Sequence, residues 1–190
     1  MLKTMGRALL LLLVMTVLTG IAYPLVVTGL AQVIFPKQAN GSLAYEGGQP
    51  IGSVLIGQNF SDPRYFYSRP SAAGQDGYDG ANSSGSNLGP TNKAFLDSVA
   101  QQAEKVRTDN GLSSTAPVPG DLITASASGL DPDITPEAAR IQVARVAKAR
   151  NLSEQKVQTL VDQFTEGRQF GFLGEPRVNV LKLNITLDSL

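Results

Sequence analysis

From Ala8 to Phe35 the chain carries no charged residue, and the opening stretch Ala8-Leu9-Leu10-Leu11-Leu12-Leu13-Val14-Met15 is wholly apolar. About 20 such residues, rising about 1.5 Å each, cross the roughly 30 Å hydrocarbon layer of a bilayer. Residues 8–35 therefore predict a transmembrane helix, its core about 8–30, with length to spare for tilt. A cleaved secretory signal is the rival reading, because Gly29-Leu30-Ala31 offers a small-x-small site. The apolar stretch exceeds the roughly 7–15 residues of a signal core, and Tyr23-Pro24 interrupts it, so an uncleaved anchor is expected. Pro24 removes a backbone hydrogen bond and predicts a kink. Gly20, Pro24 and Gly29 mark where a neighbouring helix can pack closely, since packing rather than water exclusion drives association in lipid.

Beyond the anchor the pattern changes. Ser53-Val54-Leu55-Ile56-Gly57-Gln58-Asn59-Phe60 is short, apolar and partly β-branched, and reads as a strand. Residues 61–90 show neither helical nor alternating period, and Asp62-Pro63, Arg69-Pro70 and Gly89-Pro90 are turn or extended signals. Tyr65, Phe66, Tyr67 and Tyr78 argue that this long loop is ordered. Thr91 or Asn92 caps a helix with Phe95, Val99, Ala103 and Val106 on one face, ending at Asn110-Gly111. Asp121 to Ser126 reads as a short strand. Thr135-Pro136 opens another helix, with Ala138, Ile141, Ala144 and Val146 apolar and Arg140, Arg145, Lys148 and Arg150 solvated or facing a partner. Ser153 caps a third, carrying Val157, Leu160, Val161 and Phe164. In the closing run from Val178 to Ile185, Leu181, Leu183 and Ile185, with Leu187 beyond, would share a strand face. The fold class expected is α+β: one N-terminal transmembrane helix plus a small domain of a few strands and about three helices.

Composition narrows the chemistry. With 190 residues there is room for one anchor and one modest domain. Cysteine and histidine are absent, which excludes disulfides, thiol nucleophiles, His-based zinc sites and Ser-His-Asp triads. Lysine plus arginine and aspartate plus glutamate each total 16, so no global charge points to nucleic acid. The distribution is more informative. Lys3 and Arg7 precede the apolar helix and only Lys37 follows closely, so the positive-inside rule puts residues 1–7 in the cytoplasm. Residues 36–190 then form an extracytoplasmic domain, periplasmic in a Gram-negative cell.

Candidate sites are few. Asp76-Gly77-Tyr78-Asp79-Gly80-Ala81-Asn82 resembles an oxygen-ligand metal loop, but it lacks the spacing and the bidentate glutamate of a calcium loop, and a hydrogen-bonded turn accounts for it. No metal site is expected. Ser83 to Pro90 could turn N–H groups towards a phosphate, although no P-loop lysine follows. Asp131, Asp133 and Glu137 gather near a helix N-terminus, where the dipole favours acids. Residues 60–137 hold ten acids against five bases, a local excess that could attract cations.

Several segments together resemble the KdpC family. They are Gly52 to Phe60, Tyr65-Phe66, Arg69-Pro70-Ser71, Ser84 to Pro90, Thr124 to Asp131, Arg145 to Arg150, and Gly174 to Leu181. The resemblance implies a non-catalytic subunit of the Kdp potassium-transporting ATPase in the bacterial inner membrane. It implies three partners: the channel-like KdpA, the ATP-hydrolysing KdpB and the small KdpF. The family is described as a catalytic chaperone that raises the ATP affinity of KdpB, with the loop at Ser84-Gly85-Ser86 likened to an ABC-transporter signature. ATP would then be met only through the complex. This chain has Ser84 where the family more often shows glycine, and Asp133 where histidine is common. The charge flanks instead favour a domain that caps the outer side of KdpA, away from cytoplasmic ATP.

Overall fold

A computed structural model describes all residues, Met1–Leu190. It divides into two units, Met1–Leu43 and Ala44–Leu190.

The first unit is the apolar helix. It runs without a break from Leu2 to Ile34, about 50 Å at the usual rise, and is long and apolar enough to cross a membrane. It starts earlier than the charge-free stretch, so Lys3 and Arg7 lie in its first two turns. Three parts compose it: α1 (Leu2–Val17), a π-helical stretch (Leu18–Ala22) and α2 (Tyr23–Ile34). The π turn sits immediately before Pro24. A proline ring collides with the carbonyl four residues back, here Gly20, and a widened turn accommodates it. Thr19 Oγ donates to Met15 O at 2.7 Å in the same region. A short turn, α3 (Pro36–Ala39), follows, and Asn40 exchanges side-chain amide bonds with Gln32.

A hairpin follows, of β1 (Leu43–Glu46), whose first residue closes the first unit, and β2 (Gln49–Ser53). Gly47 and Gly48 form its two-residue turn with φ +55 and +81, the left-handed pair that such turns require. The strand expected over 53–60 is absent. After Ser53 the chain turns, with Ile56 N–H donating to Ser53 O, and Leu55 and Ile56 are left exposed. Residues 61–90 contain no helix or strand, as expected.

Asn92 caps α4 (Lys93–Asp109), its side chain accepting from Phe95 N–H at 3.2 Å. The strand expected over 121–126 is instead a 3-10 turn, Gly120–Leu122, closed by Thr124 Oγ donating to Gly120 O. Thr135 caps the next helix, which breaks in two: α5 (Pro136–Arg140) and α6 (Val143–Arg150). At the break Gln142 donates its side-chain amide back to Ala138 O at 3.1 Å. α6 ends on Asn151 at φ 54, with Leu152 N–H reaching Ala147 O, a left-handed helix stop. Ser153 caps α7 (Glu154–Phe164).

A three-stranded antiparallel sheet of order β3-β5-β4 joins Asp133–Ile134, Arg177–Asn179 and Thr165–Glu166. Ile134 and Thr165 both pair with Val178. The closing strand expected over 178–185 shrinks to Arg177–Asn179. Asn179 then caps α8 (Val180–Asp188) by accepting from Lys182 N–H. Val180, Leu183, Asn184 and Leu187 are buried at helical spacing. One core unites the second unit: Phe66, Val146, Val157, Val161, Val178 and Leu183 lie at its centre with no exposed surface.

Candidate functional site

The irregular segment 61–90 is fastened to the helices by side-chain-to-backbone bonds. Arg145 on α6 donates from Nε to Asn110 Oδ1 (3.0 Å) and from Nη1 to Pro63 O (2.7 Å) and Tyr65 O (2.9 Å). Its Nη2 donates to Gln142 Oε1 at 2.7 Å, and the guanidinium lies 3.8 Å over the Tyr67 ring. Burial pulls its proton affinity below the usual arginine range, partly offset by Tyr67 and Asp109 nearby. One turn on, Arg150 donates to Arg64 O, Leu187 O and Asp188 Oδ1, all within 2.9 Å. Tyr65 OH donates to Asp188 Oδ2 at 2.9 Å, and that bond raises the phenol above its ordinary value.

Two buried amides complete the fastening. Asn184 accepts from Phe66 N–H (2.9 Å) and donates to Phe66 O (3.0 Å), and Gln142 does the same for Tyr67 at 2.7 and 3.3 Å. These bonds occupy backbone groups that an aperiodic loop cannot pair within itself. The arginines expected to be solvated or partner-facing are, at 145 and 150, internal clamps. A cleft of about 760 Å³ runs past Pro63, Tyr67, Asn110, Arg145 and Lys148, but the Arg145 donors point to protein acceptors rather than into it.

The second feature is a seam between 71–85 and 126–129. Ser71 Oγ donates to Gly129 O and Ser83 Oγ to Ser128 O across it, at 2.6 and 2.9 Å, while Ser84 Oγ donates to Ala72 O within the first segment at 2.7 Å. Gly129 sits at φ +67, and a Cβ there would stand 2.6 Å from Ser84 O. A Cβ on Gly85 would stand 2.9 Å from Ala127 O. Here the glycines serve close backbone approach. Tyr78 OH donates to Arg69 O beneath the seam, and burial pushes its phenol up to about 12. An unfolded tyrosine ionises near 10, so the folded state holds this proton to higher pH. Stability is therefore expected to fall as pH rises from about 10 to 12, and Tyr78→Phe should flatten that slope in alkaline denaturation curves.

The third feature is a recess of about 280 Å³ lined by Arg69, Asp121, Asp131, Asp133, Glu175 and Arg177. Arg69 pairs with Asp131 at 2.9 Å and Arg177 with Asp133 at 3.2 Å. Asp133 also accepts from Asn179 Nδ2 at 3.0 Å, yet burial raises its carboxyl above the usual range. Glu137 lies apart from this group and pairs with Arg140 at 3.5 Å.

None of these features offers a nucleophile beside a general base. Comparison with known proteins identifies the family. The sequence profile of the family described as "K+-transporting ATPase, c chain" matches residues 5–189. The chain belongs to the KdpC family. The Potassium-transporting ATPase KdpC subunit of Methylococcus capsulatus is 59% identical over 184 residues, 96% of each chain. The subunit of the same name from Rhodopseudomonas palustris (strain BisB18) is 56% identical over all of this chain and 99% of the relative. That of Bradyrhizobium diazoefficiens is 53% identical over 99% of this chain and 98% of the relative.

The residues singled out from sequence fall into separate places. Lys3 and Arg7 lie on α1, Gly20 in the π turn, and Pro24 and Gly29 on α2, with open space around both glycines. Ser84 and Gly85 form the seam; Asp131 and Asp133 line the recess. Gln142, Asn184 and the clamp made by Arg145 and Arg150 escaped the sequence reading. Their one available signal is a polar side chain set among buried positions, as in Leu183-Asn184 and Arg145-Val146-Ala147.

Proposed function

We propose that this chain is a non-catalytic accessory subunit of a potassium-transporting ATPase, with its N-terminus in the cytoplasm and its folded domain on the opposite face of the bacterial inner membrane. There it stabilises the assembly and caps the outer side of the potassium-conducting, KdpA-like subunit, while the helix packs in the bilayer beside it and near the KdpB- and KdpF-like subunits. The observation that carries this reading is the pair of cations, Lys3 and Arg7, in the first two turns of a single membrane-length helix. The domain fits a scaffold: its long loop is tied to its own helices. The seam does not fit a polyphosphate. Ser83 and Ser84 already donate their hydroxyls to carbonyls, and residues 70–92 contain Asp76 and Asp79 but no lysine or arginine. ATP handling is assigned to the ATP-hydrolysing partner.

Protease added to right-side-out membrane vesicles is expected to remove the domain, whereas inverted vesicles should protect it. Protection in the first and digestion in the second would overturn the assignment.

A further inference from the structure

The connection between β4 and β5 does not pack on the domain. Within the second unit, Phe170 and Phe172 are the most exposed large apolar side chains, at 87% and 72%, and Leu173 beside them is 47% exposed. Single exposed apolar residues are ordinary; two aromatic rings and a leucine on one projecting turn are a patch. The turn is also built. Gln169 and Leu173 exchange both backbone bonds at 2.9 Å, Phe172 N–H donates to Gln169 O, and Arg168 Nη2 pairs with Glu175 at 2.6 Å across the base. Gly171 and Gly174 take φ +82 and +76, and nothing lies within 4 Å of a Cβ placed on Gly167, Gly171 or Gly174. Phe170 itself is held at φ +53. That conformation is unfavourable for an aromatic residue, and the turn's own backbone bonds between Gln169 and Leu173 hold it there.

Charge identifies the counterpart. Around the base, Arg168 pairs with Glu175, Arg177 with Glu166 and Asp133, and Lys182 with Glu166. Three cations meet three carboxylates, leaving no net charge. An anionic lipid surface recruits through unpaired lysine and arginine, which this prong lacks. A neutral prong of rigid rings matches an uncharged apolar pocket in a protein, where such side chains act as hot-spot anchors.

We propose that the Gln169–Leu173 turn is a docking prong whose Phe170 and Phe172 rings seat in an apolar pocket on the surface of a membrane-spanning partner subunit. The inference rests on the accessory-subunit reading above.

The test uses the whole complex, captured from mild detergent through a tag on this chain. The double variant F170S/F172S should release partner subunits about 30-fold faster, the fold-change of a typical hot spot. Leu96→Ser, on the exposed face of α4, should release them at the unsubstituted rate. F170G removes one ring and relieves the left-handed strain, so it should melt no lower than the unsubstituted chain yet retain its partners less well. A benzophenone side chain at position 170 should cross-link to a protein subunit. Unchanged release by F170S/F172S and F170G, or cross-links to lipid alone, overturns the prong. If the unsubstituted chain captures no ATPase subunit, the accessory-subunit reading falls and the prong with it; if it captures them and the variants do so equally, only the prong falls.

Discussion

Arg145→Ala is expected to destabilise the folded domain by about 3 kcal/mol, among the largest single-residue effects in the chain. The substitution removes four donated hydrogen bonds and the stack on Tyr67. It leaves the carbonyl of Tyr65 and the side-chain oxygen of Asn110 without their arginine donor in partly buried positions, removes one of the two donors to Gln142 Oε1, and frees the exposed carbonyl of Pro63 to water. The guanidinium is not a surface ion: no carboxylate pairs with it, and its value lies in five donors arranged in a plane. Arg145→Lys should therefore rescue little, because an ammonium cannot serve Pro63, Asn110 and Gln142 at once or lie flat on an aromatic ring. Urea denaturation of the full chain in detergent, followed by circular dichroism, measures both. A lysine variant as stable as the unsubstituted chain would show that charge, not the fork, holds the loop.

Phe66→Ala is expected to cost about 3–5 kcal/mol, since the ring is fully enclosed at the centre of the core. For a chain of this size that lowers the melting temperature by very roughly 10 °C. Phe66 is held twice, by its ring and by its backbone bonds to Asn184. Asn184→Leu, alike in branching but larger and unable to bond, should cost at least about 2–3 kcal/mol through the orphaned N–H and C=O of Phe66. The double variant should fall short of the sum, because both changes release the same segment. Strict additivity would mean that ring and amide act independently.

The contrast between what was legible in the sequence and what was not follows the range of the interactions. Helix starts were readable because their caps are local: Asn92, Thr135 and Ser153 each bond a backbone N–H three residues on. The membrane-length helix was readable because its signal is its own composition. The closing segment was not. In Val180-Leu181-Lys182-Leu183-Asn184 the alternation of a strand and the spacing of a helix select overlapping residues. Asn179 capping, together with burial of Asn184 against a loop far away in sequence, decides for the helix. The run Ser53–Phe60 looked like a strand because its residues are apolar and β-branched. It has no neighbouring strand, and Gly57 packs against the chain at Leu130 and Asp131 instead. Among the candidate sites, the Gly/Ser composition of 83–86 was visible, but its use as a seam depends on Ala127–Gly129. The acids at 131 and 133 were visible too, whereas the arginines that neutralise them come from positions 69 and 177.

The distance in sequence between the loop and its fasteners also sets an order of events during synthesis. Phe66 meets Asn184 across 118 residues, and Tyr65 meets Asp188 across 123. At a translation rate of about 5–20 residues per second, the ribosome needs on the order of 6–24 s to make the intervening chain. Gln142 is available to Tyr67 part-way through that interval, but the backbone of Phe66 has no amide to receive it until Asn184 emerges. A message truncated just before codon 180 would yield a product whose earlier helices can cap themselves but whose Phe66 backbone and Tyr65 hydroxyl never meet Asn184 and Asp188, a ready target for proteolytic clearance.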